Sequence, residues 1–390
     1  MKKRCLITLS FLTVLAIQLI IYPPSPAQAD VTPSNVNASD GLCIPGESDL
    51  FSAQNCQMAG PAQQLDALAQ EGITFPPTPI YVANPPASLG DVPFAYARVV
   101  EGEVPMYDSI EDVIAEKISK KMPIGKIKYV SLYNKAETEK GLYYQIANNK
   151  WISKEYINKV GVQFFQGYEF KENPAVSFGW VLDETKSYTG PSANAPVTGK
   201  EYHRYNVVKV YASEMAGDQE WLMIGPNEWI NHITLSRVIP NTEKPAGVTT
   251  ERWIEINLYE QVMLVHEGDQ IVYATLITSG SDPFFTQPGV FKIYKKIDHE
   301  YMRGAFEADR SDYYYLEDVP YIMYFDQARA LHGAYWHTNF GYKSSHGCVN
   351  LSIADSHWLF DWANMDETVY VWDPSGKTPT DPSYYGAGGA

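Results

Sequence analysis

Between residues 332 and 350 the chain concentrates side chains able to carry acyl transfer. His332-Gly333-Ala334-Tyr335-Trp336-His337 is followed closely by Ser345-His346-Gly347-Cys348-Val349-Asn350. A thiol attacks as thiolate, and a free cysteine with a pKa of about 8.5 is only a few per cent ionised at neutral pH. An imidazole, with an unperturbed pKa of about 6.5, can take that proton near working pH. Of the histidines that precede the cysteine, His332 and His346 are the candidate bases. Gly347 carries no side chain to obstruct an incoming carbonyl, and backbone N–H groups around Gly347 and Cys348 can stabilise the oxyanion of a tetrahedral intermediate. Together these parts suit acyl transfer through a thioester. A zinc site from His332, His337, His346 and Cys348 is the chemical alternative, but neither H-E-x-x-H nor C-x-x-C occurs. The acidic residues Asp309, Asp312, Glu317 and Asp318 read as a solvated loop over the site rather than as an acid pair.

The elements that must position these groups follow from hydrophobic period. Ile254, Ile256 and Leu258 alternate with polar residues, then Val262 to Val265 and Ile271 to Ile277 flank a turn at Glu267-Gly268-Asp269, the pattern of a hairpin. Thr286-Gln287-Pro288-Gly289 is a turn before a strand from Val290 to Lys296. Tyr321 to Phe325 and Thr368 to Trp372 read as strands. Trp358, Leu359 and Trp362 have helical spacing within Ala354 to Trp362. The stretch from Asp298 to Val319 is long and polar, which predicts a lid loop. The Pro/Gly/Tyr-rich tail, 375–390, is expected to be disordered.

Upstream lies an internal repeat. Ile146-Ala147-Asn148-Asn149-Lys150-Trp151-Ile152 aligns without gaps with Ile224-Gly225-Pro226-Asn227-Glu228-Trp229-Ile230, and each Trp is followed nine residues later by Val160 or Val238. Short alternating strands punctuated by Gly, Asn and Pro predict two small β-barrels in tandem, at 91–162 and 175–240. They read either as binding or positioning modules or as spacers. Residues 30–90 are rich in Pro, Ala, Ser, Asn and Gln and read as a linker or stalk, with a short helix near 62–70.

The first 29 residues read as an export signal: Lys2, Lys3 and Arg4, an apolar run from Leu6 to Tyr22, and Ala27-Gln28-Ala29 as cleavage site. An uncleaved anchor is the alternative, because the run nearly reaches the ~20 residues that span a bilayer. Membrane contact is expected only through this segment. The remainder is placed outside the cytoplasmic membrane, in the periplasm or wall. There Cys43 and Cys56 can form a disulfide, which leaves Cys348 without a partner. The 390-residue chain has a net charge of −16, and −19 once the signal and its three cations are removed. That balance argues against nucleic acid and other polyanions as partners.

The histidine and cysteine segments, with the Thr278-Ser279-Gly280 and Thr286-Gln287-Pro288-Gly289 segments, resemble the active-site signature of the L,D-transpeptidase (YkuD-type) family. That signature is a His, an interval of a dozen or so residues, then [Ser/Thr]-His-Gly-Cys-x-[Asn/Arg]. The resemblance spans most of 251–373 and implies a catalytic domain at 250–374. The looser x-Trp-[Ile/Val] pattern of the repeats resembles bacterial SH3-like domains. Together these imply a mainly β fold, two tandem SH3-like barrels followed by a β-sandwich-like catalytic domain with one or two helices.

Carried onto this sequence, the resemblance makes Cys348 the nucleophile and His332 its base. The Gly333 carbonyl orients the imidazole, a position where Ser would change little. His346 supports the loop or acts as the alternative base, and Gly347 contributes backbone to the oxyanion hole. Ser345 and Asn350 shape the site, Asn350 standing where many members have Arg. Trp336 and Tyr321 are candidate groove walls. The implied substrates are peptidoglycan stem peptides, with a 3→3 cross-link as product, no cofactor and no metal. Water as acceptor would give an L,D-carboxypeptidase instead. A non-catalytic wall-binding protein is the reading from a different class. A sortase-like ligase would need a Thr-Cys pair and an Arg near the nucleophile, and the pair is absent.

Overall fold

The computed structural model describes residues 82–161, 163–305 and 313–385, with short pieces at 41–42, 56–57, 68–70 and 80. The chain divides into two units, Met1–Gln63 and Gln64–Ala390. In the first, Gly41–Leu42 pairs in parallel with Cys56–Gln57. The expected export signal, the Cys43–Cys56 clip and most of the linker lie outside the described residues.

The second unit is mainly β and is organised around two seven-stranded sheets. The first runs in the order Gly289–Lys292, Thr368–Trp372, Arg252–Asn257, Val262–Glu267, Gln270–Leu276, Tyr168–Phe170 and Val82–Ala83. The second runs Ile157–Lys159, Ala95–Val99, Ile127–Leu132, Tyr314–Asp326, Arg329–Gly333 and Val349–Leu351, with Lys295–Gly304 paired along Tyr314–Asp326. Alternation sends Ile254, Ile256, Met263 and Val265 from one sheet and Met323, Phe325, Leu331, Val349 and Leu351 from the other into a shared core. Helix Ile353–Trp362 closes that core with Leu359, and its N-cap Ser352 accepts the Asp355 N–H.

The internal repeat is visible as two copies of one strand pattern. In the first copy Ala95–Val99 lies between Ile157–Lys159 and Ile127–Leu132; in the second Ser177–Val181 lies between Leu235–Val238 and Val207–Val210. Each copy also holds a meander, Asn134–Thr138, Gly141–Ile146, Lys150–Ser153 or Ala212–Ala216, Gln219–Gly225, Glu228–Asn231. Each has a 3-10 turn, Lys154–Tyr156 or His232–Thr234, immediately before its last strand. The matching tryptophans, Trp151 and Trp229, pair with Tyr107 and Tyr188.

Three expectations are corrected. The stretch from Asp298 to Val319 is not a lid loop, because Lys295–Gly304 and Tyr314–Asp326 form a long antiparallel hairpin, here called the arm. Its polar look arose from a strand buried on both faces by tyrosines and by carboxylates that find partners: Glu317 and Asp318 are buried, not solvated. The end of the linker is docked rather than free: Val82–Ala83 extends the first sheet, and the His357 ring meets the Leu89 carbonyl at 3.1 Å. The beginning of the tail is ordered as well. Asp373 caps Ser375 and Thr378, and Tyr385 is buried with its ring 5.1 Å from the Arg329 guanidinium.

Candidate active site

Strand register decides which side chains meet. Arg329–Gly333 and Val349–Leu351 pair in parallel, with Leu331 opposite Val349 and His332 opposite Asn350. The period of two sends Leu331, Val349 and Leu351 into the shared core. It turns Ala330, His332, Cys348 and Asn350 to the other face. There Cys348, His332, His346, Asn350, Ser345 and Trp336 line one cavity of about 70 Å³. The arm roofs it with Met302, Tyr314 and Leu316, and the first repeat adds Ile127.

The nucleophile loop is tied down by a small set of hydrogen bonds. Ser345 Oγ accepts the Gly347 N–H at 3.2 Å and donates to the Cys348 carbonyl at 2.6 Å. Buried Thr286 accepts from Gly280 N–H and donates to the Gly347 carbonyl, both at 2.9 Å. Thr278 and Asn350 exchange backbone bonds at 2.9 and 2.8 Å. Gly347 sits at φ +114°, and a Cβ there would lie 3.2 Å from Arg329 Nε, so both conformation and space call for glycine. The Gly347 N–H is spent on Ser345, which removes it from the oxyanion role expected from the sequence.

His332 is 2% exposed, and its Nδ1 faces the Gly333 carbonyl at 3.3 Å. A neutral ring donating from Nδ1 keeps its lone pair on Nε2, the atom required of a base. Gly333 itself is fixed by packing. A Cβ there would stand 2.6 Å from Ser356 Oγ and 2.9 Å from Pro320 Cγ, so Ser is not a neutral replacement in this chain. His346 packs between the rings of Phe284 and Tyr314, at 4.9 and 6.0 Å.

Burial governs the protonation states. It pushes the Cys348 thiol up to about 11, although the backbone at Ala330 and the Arg329 guanidinium pull the other way. Burial also takes His332 down to about 4 against the Gly333 hydrogen bond. The resting pair is therefore a neutral thiol, 3.8 Å from the Ala328 carbonyl, and a neutral imidazole.

Two residues were missed by sequence reasoning. His337, read from the sequence as packing or surface, lines the cavity. Its Nδ1 accepts the Asn339 N–H at 3.1 Å, and its Nε2 lies 2.9 Å from the Asn350 amide. Burial and the nearby His332 lower His337 to about 4, so its one proton is on Nε2. That proton needs an acceptor, so the Asn350 amide, placed with Nδ2 toward the ring, is satisfied there by the flipped arrangement that turns its oxygen inward. His337 thus orients Asn350, with neither nitrogen left over for a metal. Its nearness to the His332 segment was the available signal. Arg329 is the second. It is buried, paired with Asp326 at 2.7 Å and covered by Tyr385, whose position 56 residues downstream gave no hint. Tyr321, by contrast, is not brought to the cavity: its ring stacks on His357 at 4.2 Å against the helix. The positive φ of 57° at Tyr321 breaks the strand's alternation there, so the groove-wall role that the resemblance implied falls away.

A mainly β sandwich brings Cys348, just before the strand Val349–Leu351, and His332, on the strand paired with it, to one cavity, and comparison with known proteins shows what this part of the chain is similar to. Residues 251–371 match the family model of the YkuD L,D-transpeptidase catalytic domain. YciB of Bacillus subtilis (strain 168), provisionally named an L,D-transpeptidase, is 25% identical over 137 residues, which is 30% of this chain and 63% of YciB. Among solved structures, the catalytic domain of an E. faecium L,D-transpeptidase is 26% identical, covering 32% of this chain and all of that one, with a TM-score of 0.29. The L,D-transpeptidase of Stackebrandtia nassauensis is 25% identical, covering 34% of this chain and 60% of its own, with a TM-score of 0.26. The chain thus spans about 60% of the length of the first two full relatives it matches.

Proposed function

We propose that this protein is an exported, cysteine-dependent peptidoglycan L,D-transpeptidase. Cys348 attacks the carbonyl of the third, diamino residue of a tetrapeptide stem. His332 Nε2 takes the thiol proton as the S–C bond forms and returns it to the departing D-Ala nitrogen as the C–N bond breaks. The side-chain amine of a second stem then attacks the thioester, loses a proton to His332 and releases the sulfur, leaving a 3→3 cross-link. The observation that carries this reading is the shared cavity of Cys348 and His332, with the imidazole held from its far side by Gly333. Export rests on the cationic and apolar start of the chain and its Ala-x-Ala.

The test is intact-mass analysis of the whole chain with a carbapenem, followed by incubation with disaccharide-tetrapeptides. A single covalent adduct, D-Ala release and a dimer whose link joins two third residues are expected, and Cys348→Ala should show none of them. An adduct that survives Cys348→Ala assigns the nucleophile elsewhere. Free tripeptide without dimer makes water the acceptor.

A second measurement addresses protonation. With a thiol at about 11, alkylation by iodoacetamide should rise about tenfold per pH unit from 7 to 9 without levelling off. A plateau below pH 7 would show a resting thiolate–imidazolium pair and overturn the attack-coupled proton transfer.

A further inference from the structure

The arm has two faces. Met302, Tyr314 and Leu316 look into the Cys348 cavity, while Tyr301, Arg303, Tyr313 and Tyr315 look the other way, into a separate cleft of about 570 Å³. The opposite wall of that cleft belongs to the first repeat and brings Lys120 and Lys150. Three cations and three tyrosine rings therefore converge, and among the described residues no carboxylate lines the space. Lys150 is held by Asp108 at the rim. Neither Lys120 nor Arg303 has a carboxylate partner among the described residues; the Arg303 guanidinium lies 5.2 Å from the Tyr301 ring. In a chain of net charge −16 this is a local reversal of sign. Concave walls focus such a field on a ligand.

We propose that this cleft is a second binding site, which holds a carboxylate-bearing glycan–peptide strand alongside the catalytic cavity. The proposal rests on the reading of the substrate as peptidoglycan. Ring faces suit the C–H surfaces of sugars, and spaced cations suit one carboxylate per stem. A densely charged phosphate polymer would meet only two uncompensated cations and the repulsion of the whole acidic chain. Because the arm is the common wall, a strand lying in the cleft presents its stems beside the roof of the Cys348 cavity.

The experiment uses the full chain in the Cys348→Ala background, so that binding is measured without turnover. Glycan strands carrying uncross-linked tetrapeptide stems are the probe. The double variant Lys120→Gln/Arg303→Gln, both exposed positions, should bind about tenfold more weakly. A charge-matched control on exposed lysines elsewhere, Lys135→Gln/Lys186→Gln, should bind like the parent. Equal binding by all three proteins, or equal loss in the control, overturns the site. Tighter binding of poly(glycerol phosphate) than of the stem-bearing glycan overturns the ligand class. These outcomes are independent of carbapenem acylation and D-Ala release, so a failure of the enzymatic reading is recognised separately.

Discussion

The two repeats share one strand pattern, yet they are joined to the catalytic sandwich in different ways. The first is continuous with it: Ile127–Leu132 pairs in parallel with the arm, Tyr314 opposite Ile127 and Leu316 opposite Tyr129. Its side chains reach the segment beside His332. Tyr129 Oη donates to the Trp336 carbonyl at 3.0 Å, and the Tyr96 ring stacks on Tyr335 at 3.5 Å. Between them, buried Glu317 accepts the N–H groups of Ser131 and Ala147 and the Tyr315 hydroxyl. The second repeat instead lays an apolar face, Phe178, Trp180 and Val238, against Leu264, Ala274 and Leu276. Its polar contacts go to the loop after His337, where Arg204 and Tyr205 donate to the Thr338 carbonyl. They also go to buried Glu260, which Arg237 and His232 meet at 2.7 and 2.9 Å and which does not line the Cys348 cavity. Polar bonds are directional and fix geometry; an apolar face mainly supplies stability. The first repeat should thus tune chemistry and the second should hold the fold.

The largest expected effect tests the second half of that contrast. Trp180→Ala removes a ring only 1% exposed and should cost about 3–5 kcal/mol in chemical denaturation, while alkylation of Cys348 in the folded protein stays as in the parent. A large change in thiol reactivity would show that the second repeat shapes the site.

Glu317 sharpens the first half. Its burial raises the carboxyl from 4.5 to about 7, with Asp318 pushing the same way, against the hydrogen bonds from Tyr315, Ser131 and Ala147. A raised acid contributes stability that is complete below the unfolded value and is lost as pH rises through the folded one. The expected loss between pH 4.5 and 7 is about 3 kcal/mol. Glu317→Gln should remove that dependence when variant and parent are compared at each pH. Parallel profiles for the two proteins would exclude Glu317 as its source.

Smaller still, Tyr129→Phe deletes one hydroxyl to Trp336 and should cost about 1 kcal/mol of stability, but lower kcat with little change in KM. The matching deletion at the second repeat's contact, Tyr342→Phe in the catalytic domain, removes one hydroxyl from Asp183, which keeps Arg204, and should cost under about 1 kcal/mol with kcat unchanged. If both variants lost kcat equally, the distinction between the repeats would fail.

Much of the fold was legible because its signals are local. The hairpin from Ile254 to Ile277, the helix over Ala354 to Trp362 and the strand Thr368–Trp372 follow from alternation and helical spacing, and the repeat from direct self-alignment. The arm was missed because Tyr314–Asp326 is covered on both faces, which erases alternation, while its partner Lys295–Gly304 is mostly exposed or half-buried and polar like a loop. The ordered tail was missed because Tyr385 packs on Arg329, a contact across 56 residues that no window of sequence contains.

By itself the sequence determined the chemistry: a thiol, imidazoles and a glycine at spacings that suit acyl transfer, all within one short stretch of chain. Only the tertiary structure decided how those groups are poised. Parallel register puts His332 and Cys348 on one face, and the Ser345 hydroxyl takes up the Gly347 N–H. Burial under the arm and its neighbours desolvates both groups and favours their neutral forms. Residue types carry reactivity wherever they stand, whereas proton affinity depends on solvation and neighbours, and those are supplied by parts of the chain far away in sequence.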